Sequence, residues 1–171
     1  MKGKIIIAPK YEEINSALVF LAGPIQGAQR WQDEAIKYIQ AKAPEINIAN
    51  PRRPDEQYHK GEFPPELYAE QVDWETFHLR KAAKEGAILF WLAKEADHKC
   101  YRAYAQSTRF ELAEWKMRHE RDGARLAVGI ETSFTGARYI ARRFSQDCLD
   151  INICATLEET CKEAIRLARQ K

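Results

Sequence analysis

The run Ala87–Leu92 is the most hydrophobic stretch of the chain, and it limits the folds that the sequence can adopt. A second continuous apolar run, Ala17–Ala22, ends in Gly23-Pro24. Short apolar runs that are bounded by turn residues are typical of strands buried on both faces, as in a parallel sheet. Because parallel strands need long crossover connections, we expect a helix between one such strand and the next.

Helical patterns do alternate with short strands along the whole chain. The predicted helices are 29–42, 64–84, 107–120, 137–146 and a last one that opens at Thr156, and the predicted strands are 4–8, 17–22, 46–49, 87–92, 126–130 and 151–154. We interpret residues 4–8 as an edge strand or an N-terminal arm, and the polar stretch 55–65 as irregular. The alternation predicts one α/β domain over residues 1–171, with a mostly parallel sheet of about five strands and helices on both faces.

The composition excludes several classes of protein. Apolar residues make up 45% of the chain, charged residues 30%, and the formal charge is +2. These values are typical of a globular protein. The sequence has no long basic run, so we expect no binding to a nucleic acid polymer. No apolar run approaches the roughly 20 residues of a membrane helix. The four cysteines form no C-x-x-C pair, so we expect free thiols, cytoplasmic localisation, no metal and no cofactor.

The stretch Ser107–Trp115 follows the most hydrophobic strand after a polar and aromatic loop. In an open α/β sheet, ligands bind where the carboxyl ends of strands meet the starts of helices. Glu111 is therefore well placed to contact a substrate. It could equally be a capping residue, because Thr108 and Glu111 have capping-box spacing.

Two further acidic candidates lie on the helix predicted over 64–84. Its apolar stripe, by helical spacing, consists of Tyr68, Val72, Leu79, Ala82 and Ala83. Glu75 falls inside that stripe, and a carboxylate on a core-facing stripe must be paired, hydrogen-bonded or directed into a cavity. Asp73 lies on a neighbouring face, where a solvated position is as plausible as a role in the site.

Loops at the carboxyl ends of two predicted strands supply candidate substrate contacts. Gly23, Pro24, Ile25 and Gln26 form the first loop, where glycines permit a close backbone approach or merely a tight turn. The second loop contains Asn50 and the pair Arg52 and Arg53. We expect these arginines on the surface by default, with contact to a sugar or phosphate as the alternative.

Four short stretches, by their order and spacing together, resemble the nucleoside 2-deoxyribosyltransferase-like family. They are Leu21–Ile25, Gln71–Glu75, Gly86–Leu92 and Ser107–Leu112, and the resemblance spans Ala17 to Ile165. It implies a flavodoxin-like three-layer sandwich and chemistry at the anomeric carbon of a nucleoside or nucleotide. The Gln71–Glu75 stretch and Ala113, where glycine is usual, suggest a divergent branch.

The resemblance implies roles for Glu111, Asp73 and Glu75. Ser107 is instead a candidate by its place in the first turn of the helix, and Arg109 departs from the small residue that is common in the family. Glu111 matches the nucleophilic glutamate that forms a glycosyl-enzyme ester, and we expect its place at a helix start to keep it ionised. Its ordinary pKa of about 4.3 points the same way. Asp73 and Glu75 are the candidates for the acid that protonates the leaving base. Ser107 is ready to cap the helix or hold a substrate oxygen, and Arg109 is ready to bind a 5′-phosphate or a neighbouring carboxylate.

Several functions stay open at this point. The first is cleavage or base exchange at the N-glycosidic bond of a (deoxy)nucleoside or nucleotide. The alternatives are hydrolysis of nucleoside 5′-monophosphates, a non-catalytic module that senses a nucleotide in the same pocket, and a structural role on a borrowed fold. We expect a small-molecule ligand and a homo-oligomer, because relatives often complete their sites across a subunit interface.

Overall fold

The computed structural model describes residues 2–54 and 64–170. Within them lie five strands: β1 (Ile5–Ile7), β2 (Leu18–Ala22), β3 (Asn47–Asn50), β4 (Ala87–Leu92) and β5 (Leu126–Ile130). The helices of the same residues are α1 (Trp31–Lys42), α2 (Pro65–Glu85), α3 (Gln106–Asp122), α4 (Ala137–Asp147) and α5 (Leu157–Ala168). Most of the stretch predicted to be irregular, 55–65, lies outside the described residues.

The five strands form one parallel sheet in the order β1-β3-β2-β4-β5. Successive residues of the central strands face opposite sides, so that Phe20 and Phe90 pack with α2, α3 and α4, whereas Leu21 and Leu89 pack with α1 and α5. Every residue of β2 and β4 is buried, which explains the continuous apolar runs. The structure confirms a flavodoxin-like three-layer α/β fold.

One edge of the sheet agrees with expectation and the other does not. Within the predicted range 4–8, residues 5–7 form the edge strand β1, which pairs with β3. The strand predicted over 151–154 is wrong, since only Cys154 makes a ladder contact, opposite Gly129. After α4 ends, the N–H of Ile151 donates to the carbonyl of Cys148 in a turn. The predicted segment 151–154 therefore reaches β5 only at Cys154.

The buried face of α2 was predicted correctly at Leu79 and Ala82 but incorrectly at Tyr68 and Val72. Tyr68 is 61% exposed and Val72 is 40% exposed, whereas the helix buries Gln71, Trp74, His78, Leu79 and Ala82. The buried face contains two polar residues, Gln71 and His78, so it is not continuously apolar. The prediction from apolar spacing therefore selected a neighbouring face of the helix at Tyr68 and Val72. Glu75 lies beside this face and is half-buried.

The described residues contain no helix that is long and apolar enough to cross a membrane.

Candidate active site

The candidate site lies at the edge of the sheet where the parallel strands end. Sequence neighbours β2 and β3 lie on one side of this point and β4 and β5 on the other, so the crossover direction reverses between β2 and β4. Crevices at such a reversal are the usual ligand sites of doubly wound sheets. The loops after β2, β3 and β4 all reach this edge, and the last of them leads into α3.

The structure brings Glu111 of α3 and Glu75 of α2 together. Burial shields both carboxyl groups, and the charge of Glu75 acts directly on Glu111. Burial, then Glu75 and then Glu114 raise the pKa of Glu111 to about 8. Burial also raises the pKa of Glu75, to about 7, against the hydrogen bond from Gln71 and the charge of Arg53. Two close, shielded carboxyl groups of this kind share protons near neutral pH.

Two expectations for Glu111 are therefore wrong. Helix α3 begins at Gln106 after Ala105, whose φ of 55° is left-handed, and no side chain caps it. Thr108 lies buried within the helix, so Thr108 and Glu111 form no capping box. Glu111 lies in the second turn, where the helix dipole is weaker, and its pKa is raised rather than held in the ordinary range of a glutamate.

Glu75 is held by a continuous set of hydrogen bonds. Gln71, one helical turn earlier, donates through Nε2 to Oε1 of Glu75 at 2.8 Å and to the carbonyl of Pro51 at 2.8 Å. The Gln71 Oε1 accepts from Nε of Arg53 at 2.8 Å. Arg53 also pairs with the half-exposed Glu70 at 2.6 Å. The loop after β3 thus orients the Glu75 carboxyl through α2.

Sequence reasoning missed the importance of two of these residues. Arg53 was expected on the surface by default but is only 7% exposed, and Gln71 is 8% exposed. The available signal was spacing: Gln71 precedes Glu75 by four residues, which places the two side chains together on a helix. The presence of a buried arginine opposite them could not be inferred from α2 alone.

Asp73 is not brought to this pair. It is exposed, and two residues of helix turn it about 200° away from Glu75. Its role as an acid stays a prediction that the geometry does not favour.

Contacts with α1 and β4 hold the loop after β2, which consists of Gly23, Pro24, Ile25 and Gln26. Trp31 donates its indole N–H to the carbonyl of Pro24 at 2.9 Å. A Cβ on Gly23 would lie 2.3 Å from the carbonyl of Trp91, so only glycine fits against the end of β4. Pro24 is buried, and Ile25 and Gln26 are half-buried at the edge of the sheet.

The loop after β3 supports its neighbour. Asn50 accepts through Oδ1 from the backbone N–H of Arg52 at 3.0 Å, which shapes the turn. Arg52, expected on the surface, is 8% exposed and donates to the carbonyl of Ile25 at 3.4 Å. Asn50 and Arg52 therefore shape the two loops at this edge of the sheet, and their direct contact with a substrate stays a prediction.

Arg109 anchors α3 to the loop that follows β5. Its Nη2 donates to the carbonyl of Thr135 at 2.5 Å, and its guanidinium lies 4.5 Å from the centre of the Phe134 ring. Ser107 is exposed in the first turn of the same helix and is not its cap. Phosphate binding by Arg109 and substrate binding by Ser107 stay predictions; the contacts seen for Arg109 are those of a structural clamp.

Tyr104 was not among the predicted site residues, yet it secures the loop that leads into α3. Its hydroxyl donates to the carbonyl of Ala93 at 2.7 Å, and its ring contacts that of Phe134. Burial, followed by the charges of Glu95 and Glu131, raises the pKa of Tyr104. The phenol therefore stays protonated and acts as a hydrogen-bond donor within the loop.

The fold and site together define an α/β protein with a shielded two-carboxyl centre at the carboxyl edge of its sheet. The chain belongs to the nucleoside 2-deoxyribosyltransferase-like family, whose model matches residues 16–132, more than half of the chain. The match contains both Glu75 and Glu111, whereas the resemblance was expected to continue to Ile165. No curated protein matches the chain. The family indicates an enzyme that transfers glycosyl groups.

Proposed function

We propose that this protein cleaves the N-glycosidic bond of a nucleoside or nucleotide, with Glu111 as nucleophile and Glu75 as general acid. The observation that carries the proposal is the pair of shielded carboxyl groups that α2 and α3 bring together at the edge of the sheet. Membership of a glycosyl-transferring family supports the same chemistry. Paired carboxyl groups are also the usual equipment of retaining glycosidases.

In the first half-reaction, a carboxylate oxygen of Glu111 forms a bond to C1′ of the sugar. The C1′–N bond breaks, and its electron pair stays with the base. Glu75 supplies the proton that the departing base needs and becomes a carboxylate. The Glu111 anion also stabilises the positive charge that develops on the sugar before the ester forms.

In the second half-reaction, an acceptor attacks C1′ and the ester bond returns its electrons to Glu111. If the acceptor is water, the Glu75 carboxylate takes the proton and the free sugar is released. If it is a second base, Glu75 takes the proton of the attacking nitrogen and a new nucleoside leaves. Access of water to the ester decides between hydrolysis and exchange.

The shared proton must be on Glu75 when the reaction starts. Burial raises the pKa of both carboxyl groups, and the charge of Glu75 raises that of Glu111 further, so the pair holds a proton near neutral pH. The base leaves when this proton is on Glu75 and Glu111 is the carboxylate.

The test is incubation with a panel of ribo- and deoxyribonucleosides and their 5′-monophosphates, with and without an acceptor base. Chromatography then separates exchange from hydrolysis. We expect Glu111→Ala to abolish turnover while its circular dichroism stays that of the wild type. Glu34→Ala, at an exposed position of α1, is the matched control and should retain activity.

The outcomes discriminate between the open functions. Unchanged turnover in folded Glu111→Ala rejects the proposed nucleophile. Saturable binding of a nucleotide without release of base over hours indicates a sensing module. A requirement for the 5′-monophosphate identifies the nucleotide hydrolase.

A further inference from the structure

The hydrogen bonds around Gln71 leave no freedom in the orientation of its amide. Its Oε1 faces Nε of Arg53, which can only donate, and its Nε2 faces the carbonyl of Pro51, which can only accept. An inverted amide would set donor against donor and acceptor against acceptor. Both hydrogens of Nε2 are therefore committed, one to Pro51 and one to Oε1 of Glu75.

This arrangement distinguishes the two oxygens of Glu75. Oε1 receives an N–H from Gln71 at 2.8 Å, so it serves as an acceptor. A carboxylic acid carries one proton, and a proton on Oε1 would place an O–H donor against the N–H donor of Gln71. The proton of neutral Glu75 therefore belongs on Oε2.

The same bond acts on the anion that remains after proton donation. A hydrogen bond to a carboxylate stabilises its charged form, and the Arg53 guanidinium adds to this effect. Both oppose the burial that raises the pKa of Glu75, leaving it at about 7. A group that must first give and then recover a proton works best with a pKa near the working pH.

We propose that Gln71, held by Arg53 and Pro51, is a positioning residue that keeps the transferable proton of Glu75 on Oε2 and stabilises the carboxylate left when that proton goes to the base. The inference rests on the proposed function. In the glycosylation step the Oε2–H bond breaks toward the base nitrogen, and the negative charge left on Glu75 is shared with Oε1, where Gln71 donates. In the second step Oε2 recovers a proton from the acceptor.

The test compares Gln71→Met with the wild type on two substrates. Methionine keeps the length of the side chain but donates no hydrogen bond. One substrate is an ordinary purine nucleoside, whose base needs a proton to leave; the other is its N7-methylated form, whose cationic base leaves as a neutral molecule without one. Gln146→Met, the same change at an exposed position of α4, is the matched control.

We expect Gln71→Met to lower kcat/KM for the ordinary nucleoside by about a hundredfold, the scale of general acid catalysis, and to leave the methylated substrate within about threefold. The basic limb of the pH profile should move upward, because the anion of Glu75 has lost a donor. Carbon-13 NMR of labelled glutamate carboxyls should show the same upward movement of the Glu75 pKa.

Each other result overturns the inference in a recognisable way. Equal losses on both substrates, with no movement of the pH profile, indicate a merely structural role for Gln71. Wild-type rates in Gln71→Met on both substrates reject its participation while leaving the function intact. A wild-type protein that cleaves neither substrate rejects the function and the catalytic role of Gln71 together.

Discussion

The two carboxyl groups of the site are held in opposite ways. Glu75 is fixed directly, since Gln71 donates to its Oε1 and Arg53 supports Gln71 from behind. For Glu111 the described residues provide burial and two negative neighbours but no hydrogen bond to the carboxyl. Its position is set by its helix, which Arg109 anchors to the loop after β5.

This difference fits the roles that we propose for the two residues. A proton donor needs a defined oxygen and a stabilised conjugate base, and the hydrogen bond from Gln71 suits Glu75 to that role. A nucleophile needs lone pairs free for bond formation, and every donor on its carboxylate would weaken it as a nucleophile. In the proposed function, the neighbours of each glutamate therefore account for the difference between the two roles.

The largest expected effect comes from replacing the two carboxyl groups separately. Glu111→Gln should lower kcat on every substrate by at least about a thousandfold, because no ester can form. Glu75→Gln should cost about 10²- to 10⁴-fold on ordinary nucleosides but little on an N7-methylated one, which needs no acid. Steady-state kinetics on the two substrates checks both. If Glu75→Gln lost as much activity on the methylated substrate as on the ordinary one, this division of roles would be contradicted.

The second effect concerns stability and pH. The pKa of Glu111 is raised to about 8, above its unfolded value of about 4.3, so the native state binds more protons between these limits. Stability therefore falls as pH rises from about 4.3 to about 8. At pH 8.5, Glu111→Gln should unfold with a free energy at least about 1.4 kcal/mol above that of the wild type, the equivalent of one pKa unit.

Urea denaturation at several pH values measures this difference, which should shrink toward pH 4.5, where the native wild type is neutral at position 111 like the variant. Glu34→Gln is the control, because Glu34 is exposed on α1 and is not among the groups that raise the pKa of Glu111. A wild-type stability that rises with pH over this interval would show that the Glu111 carboxyl is not shielded.

A smaller effect tests the anchoring of α3. Arg109→Ala removes the contact with Thr135 and the guanidinium over Phe134, which together should cost about 1–2 kcal/mol of stability. Because it displaces Glu111 rather than Glu75, kcat should fall by about tenfold on ordinary and methylated substrates alike. Parallel kinetics with a nucleoside and its 5′-monophosphate completes the test. A loss confined to the monophosphate would instead identify Arg109 as a phosphate ligand.

Much of the fold follows from local sequence, for a physical reason. Strands buried on both faces must be apolar at every position, so β2 and β4 are recognisable without their neighbours. Prediction failed where position in the sheet mattered: residues 151–154 have a strand-like composition, yet only Cys154 reaches β5. The pattern of residue types in this segment does not indicate whether the preceding turn brings it alongside β5.

The site was predictable only in part, because its chemistry depends on contacts between distant segments. Glu111 and Glu75 were predicted as site residues, the first by its place after a buried strand and the second as a carboxylate inside an apolar stripe, and the structure brings the two together. The raised pKa of Glu111 was not predicted, since it depends on Glu75 on another helix. The role of Gln71 was hidden in the same way, because it becomes apparent only with Arg53 and Pro51 in place.

The smallest expected effect distinguishes the two acidic residues of α2. Asp73 was predicted as an acid alongside Glu75, but the helix directs it into solvent. Asp73→Asn should change stability by less than about 0.5 kcal/mol, as is usual for exposed positions. It should also leave kcat/KM for an ordinary nucleoside unchanged, whereas Glu75→Gln in the same assay should not. A large loss in Asp73→Asn would mean that a second copy of the chain or the bound substrate draws Asp73 into the site, and Glu75 would then no longer be the sole candidate acid of this helix.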